Sequence, residues 1–112
     1  MSDESFPPGM SPYVLGLLYR VAGRADLDEN VAEELQSAHV AHIQRLLDSG
    51  VALVAGPLLD DGDLRGVLLF PDRPLDEIRA AFGDDPAVRE GRLSLELHPL
   101  MAQDGIAPVR PR

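Results

Sequence analysis

Among the side chains suited to proton-transfer chemistry, three stand at positions that could bring them together: His39, His42 and Asp85. An imidazole changes charge near neutral pH, so it can take and return a proton during a reaction. It does so best when a carboxylate fixes its tautomer and stabilises the imidazolium. His39 lies in the stretch NVAEELQSAHVAHIQRLLDSG, where Leu35, Ile43, Leu46 and Leu47 recur at three- and four-residue spacing. That spacing puts His39 in the apolar stripe of an amphipathic helix, where both ring nitrogens need attention in a partly dry place. The bland alternative is a core-edge histidine that bonds one backbone carbonyl and does nothing more. His42 falls one turn further on, towards the flank of the stripe, and is a candidate substrate contact. Two histidines three apart on a helix suit a metal, but no third ligand stands at a diagnostic spacing, so no metal and no other cofactor is expected.

Asp85 precedes Pro86, a familiar helix-start pair in which the carboxylate caps and the proline takes the first helical position. It is also the candidate partner of His39, and the order of elements explains how. Tyr13 to Val21 reads as a central strand with both faces apolar. The helix from Asn30 to Gly50 follows, with Asn30 as N-cap, Glu33 and Glu34 in the first turn and Gly50 as the stop. Val51 to Ala55 is a second strand, closed by Gly56 and Pro57. The turn DDGD over residues 60–63 leads to a third strand, Gly66 to Phe70. Pro74 to Phe82 is a second helix, and Arg92 to His98 a last strand that alternates cleanly. This β-α-β-β-α-β order predicts an α+β, ferredoxin-like fold: a four-stranded antiparallel sheet with two helices on one face. The end of the second helix and the start of the first then lie at one end of the sheet, which brings Asp85 towards His39. Gly56 and Pro57 fall beside the same place. A glycine there lets a ligand approach the backbone closely.

Strands one to three are apolar on both faces, yet two helices cover one face only. A second copy of the chain is the simplest cover, so a homodimer packed sheet to sheet is expected. Residues 1–11 read as a disordered lead-in, 12–101 as the folded domain and 102–112 as a loose tail. The 112 residues are 45% apolar and suffice for one modest core. A net charge of -9 argues against nucleic acid or an anionic membrane as partner. Cysteine is absent, and the start of the chain has no apolar signal segment. No apolar run nears the roughly 18 residues that span a bilayer. These features fit a cytoplasmic setting.

The set HVAHIQRLLDSG, VALVAGPLLDDG and DDPAVREGRLSLELHPL resembles the YCII-related (YciI-like) family of small ferredoxin-like proteins, over roughly residues 12–101. The resemblance implies a dimeric α+β barrel with a histidine–aspartate centre in a pocket: His39 and Asp85 by position, with Gly56 and Pro57 at the family's strand-end Gly-Pro. It implies that the fold supports lyase or dehalogenase chemistry on small aromatic rings. Family members usually carry Tyr or Phe straight after the DP, where this chain has Ala87. Two functions follow as expectations. One is a small cofactor-independent enzyme in which His39 moves a proton and Asp85 orients it, in an elimination, dehalogenation or isomerisation. The other is a non-catalytic ligand-binding or regulatory dimer with the same pocket.

Overall fold

The computed structural model describes residues 6–106. The parts of the expected lead-in and tail at 1–5 and 107–112 lie outside the described residues. Among the described residues seven elements follow one another: β1 (Met10–Arg20), α1 (Glu29–Asp48), β2 (Val54–Pro57), β3 (Leu64–Pro71), α2 (Leu75–Phe82), α3 (Pro86–Arg89) and β4 (Leu93–Gln103). The four strands form one antiparallel sheet in the order β2-β3-β1-β4. This is the ferredoxin-like α+β arrangement, with a one-turn helix added before the last strand.

Alternation along the strands divides the sheet into two faces. Val14 and Leu18 of β1 and Leu68 and Phe70 of β3 point to the side where Leu46 of α1 and Ile78 and Phe82 of α2 complete the buried core. Leu93, Leu95 and Leu97 of β4 pack against the same core. Gly16 sits between them because nothing larger fits: a Cβ there would lie 2.8 Å from the Phe70 ring and 3.2 Å from Leu95 Cδ1. The opposite face carries Leu15 beside Leu69 and Leu17 beside Val67, all only half-buried in the single chain.

Element ends differ from the sequence reading in instructive ways. α1 starts at Glu29 with Asp28 as its N-cap, and the Asp28 carboxylate accepts from Asn30 N–H. Both residues can cap, but the full negative charge of Asp28 meets the helix dipole more favourably than an amide. Gly50, with φ of 81°, lies just past the helix end, in the left-handed conformation that favours glycine. β1 begins at Met10, inside the stretch read as lead-in, because β4 runs on to Gln103 and offers it a pairing partner. β2 lies three residues later than expected, at Val54–Pro57, where it pairs with β3.

Candidate functional site

Asp85 is wholly buried and stands at the start of α3. Its carboxylate caps that helix, accepting from Ala87 N–H at 3.0 Å and Val88 N–H at 3.3 Å through Oδ2. It also meets both histidines of α1. His39 Nδ1 lies 2.8 Å from Oδ1 and 2.9 Å from Oδ2, and His42 Nδ1 lies 3.0 Å from Oδ1. The two readings of Asp85, helix cap and histidine partner, hold together. A single carboxylate has lone pairs enough for all four donors.

The protonation pattern follows from the donors. An ionised carboxylate only accepts, so each imidazole turns an Nδ1–H towards Asp85. Burial pushes the Asp85 carboxyl up. The His39 hydrogen bond and charge, the Val88 N–H and the His42 hydrogen bond outweigh it, and the carboxyl ends below its ordinary 3.8. Asp85 is thus held as an anion in the protein interior. In neutral His39 the remaining nitrogen, Nε2, is left as an acceptor.

His39 lines a cavity of about 640 Å³ bounded by α1, the β1–α1 loop and the sheet. That volume is in the range of small-molecule sites. Its apolar wall includes Leu35, Ile43 and Leu47 of α1. Gly56 and Pro57 line it too, and a Cβ on Gly56 would meet nothing within 4 Å, so a ligand has room against that backbone. Ala87 also reaches the wall.

His42 is placed differently from the sequence expectation. It is not among the residues lining the cavity. Instead it is buried, with its ring edge-on to Phe82 at 5.6 Å between centroids. The flank it occupies is covered by α2 and α3, so it braces Asp85 from behind. Its spacing four residues before Leu46 carried that signal, because these two are the buried residues of α1. Sequence reasoning also misses four arginines that line the cavity, Arg20, Arg24, Arg65 and Arg92. Arg20 and Arg65 come from β1 and β3, and Arg24 and Arg92 from the loops before α1 and β4; they have no local spacing in common, and only the tertiary fold gathers them. No group of three or more His, Asp or Glu among the described residues is arranged to hold a metal ion. No helix among the described residues is long and apolar enough to cross a membrane.

No protein-family model matches the chain, and no curated protein does. Solved structures do. One is a 5-chloro-2-hydroxyhydroquinone dehydrochlorinase from Burkholderia phenoliruptrix AC1100, in complex with 2,5-dihydroxybenzoquinone. It is 21% identical, the match covers 77% of this chain and 90% of that one, and the TM-score is 0.56. At that identity the likeness establishes a shared fold, the ferredoxin-like α+β architecture already visible in the sheet order.

Proposed function

We propose that this protein is a small enzyme that uses His39 as general base and acid on a small, ring-bearing metabolite, with Asp85 orienting the imidazole. One observation carries the reading. The same His39 ring that lines the cavity is held through Nδ1 by a wholly buried carboxylate 2.8 Å away. That arrangement presents Nε2 as the free proton acceptor and stabilises the imidazolium that forms when it takes a proton. In an elimination, Nε2 takes the proton, the released electron pair becomes a new double bond, and the leaving group departs with its own pair. In an isomerisation the imidazolium returns the proton at a different carbon. Gly56 and Pro57 contribute a bare stretch of wall for the substrate. His42 acts on the reaction only through Asp85, as a positioning residue.

The dehydrochlorinase that shares the fold acts on a chlorinated, hydroxylated ring, which supports this class of substrate here. Together with the sequence motifs it supports kinship with the YCII-related family. The half-buried leucines on the sheet face away from the helices support a homodimer closed over that face. The absence of cysteine suits a cytoplasmic setting.

The test is chloride release from 5-chloro-2-hydroxyhydroquinone, extended to a panel of halogenated phenols and small lactones. The intact chain should turn over at least one of them, and His39→Gln should lose that activity while keeping its circular dichroism. Turnover undiminished in His39→Gln would refute the mechanism. Ala87 gives the second reading its footing, since it leaves the wall without an aromatic stacking surface. In that case ligands bind, none is converted, and His39→Gln changes affinity alone.

A further inference from the structure

The cavity is positively charged in a protein that is strongly negative. The chain has 19 acidic residues and ten basic ones, all of them arginine. Among the described residues four of those arginines line the cavity, against a single carboxylate, Asp26. Arg20 is neutralised by Asp63 at 3.1 Å. The other three are held by main-chain carbonyls, which accept hydrogen bonds without cancelling a charge. Arg24 Nη2 donates to Glu90 O at 2.9 Å, and Arg92 Nη1 donates to Ala25 O. Arg65 Nη1 donates to Asp60 O at 2.9 Å and to Gly62 O at 3.0 Å. Arg24 and Arg92 therefore form a reciprocal clasp. Arg24 comes from the β1–α1 loop and ties down the α3–β4 turn; Arg92, at the foot of β4, ties down the loop. Each guanidinium uses one of its two terminal nitrogens in this way, and five N–H donors per arginine leave most of its capacity over. Among the described residues none of these three makes an ion pair with a carboxylate.

Guanidinium groups fixed in place, uncancelled and facing a largely apolar hollow are suited to a planar anion, which they can grip through two parallel hydrogen bonds. Apolar walls around them focus the field onto whatever enters. We infer that the cavity selects a small organic carboxylate, its charged group at the Arg24–Arg92 clasp and its apolar body against Leu35, Ile43 and Leu47, within reach of His39. This inference rests on the reading of the cavity as the substrate site and names the substrate class. It also gives the chain's acidity a role: negative charge elsewhere on the surface leaves the cavity as the place where an anion is attracted.

The experiment compares benzoate with benzamide, its neutral isostere, by titration calorimetry on the full chain, while the His39 ring resonances are followed by NMR. Benzoate should bind more tightly by about tenfold or more, the order expected of charge-assisted hydrogen bonds, and should weaken as salt rises. Both compounds should move the His39 signals. Arg24→Gln combined with Arg92→Gln should erase the preference, and Arg73→Gln, which lies outside the cavity on α2's approach, should keep it. Equal affinities with His39 still perturbed would overturn the anion inference and leave the cavity standing as the ligand site. Binding without any change at His39 would overturn both. The ligand comparison needs only the unaltered protein, so it decides the matter even if the double variant fails to fold.

Discussion

His39 and His42 turn the same ring nitrogen onto the same oxygen: their Nδ1 atoms lie 2.8 and 3.0 Å from Asp85 Oδ1. The three-residue spacing on α1 makes this convergence geometrically natural, since side chains three apart share a face. Only one of the two rings lines the cavity. Replacing His39 by Gln is expected to lower turnover by about 100-fold or more, the scale of a lost general base. His42→Gln keeps a donor near Asp85 and should cost much less turnover, with a lower melting temperature. Steady-state kinetics beside thermal unfolding of the two variants separates these roles.

Asp85→Asn should be the more damaging change to the fold. It removes a wholly buried carboxylate that satisfies two imidazoles and two backbone amides. An amide offers one acceptor oxygen and an unwanted pair of donors. A loss of about 3 kcal/mol is expected, measured by urea unfolding at neutral pH.

The pH dependence of that loss has a definite sign. The Asp85 carboxyl titrates below its ordinary 3.8 in the folded chain. A depressed value means that the unfolded chain binds the proton first as acid is added. The stabilisation is therefore full above the ordinary value and disappears as pH falls through the lowered one. The stability gap between the parent chain and Asp85→Asn should stay wide at about pH 5 and shrink below about pH 4. Unfolding curves recorded across that interval check it.

Gly16→Ala probes the core rather than the site. The added methyl would meet the ring of Phe70, which is completely buried and has nowhere to swing. A cost of about 1–3 kcal/mol is expected from overpacking, seen as a lower melting temperature.

Leu17→Lys tests the proposed dimer. Leu17 stands beside Val67 on the sheet face away from the helices. A lysine there can remain solvated in a monomer but not between two packed sheets. Light scattering should report a dimer for the parent chain and a monomer for the variant. A monomeric parent would refute the proposal.

The sequence is most informative where local patterns and topology agree. The periodicity of Leu35, Ile43, Leu46 and Leu47, the alternation of Leu93, Leu95 and Leu97, and the proline after Asp85 each specify a local geometry. Their order then brings Asp85 to His39. The depth of His42 is less legible, because a helix flank is dry or wet according to what packs on it, and here that is α2 and α3. The start of α1 is similarly ambiguous, with Asp28 and Asn30 both able to cap. The arginines are illegible for a different reason. A charged residue in a loop follows no periodicity, and Arg24 and Arg92 become neighbours only when β4 returns beside β1.

The double duty of Asp85 bears on how relatives of this chain should be compared. A descendant that had given up chemistry altogether would still need that carboxylate to begin its short third helix and to quiet a buried ring. Its persistence therefore says more about foldability than about turnover. On the proposed mechanism, the imidazole on the hollow's wall, which caps no helix, is the better marker of which lineages remain active.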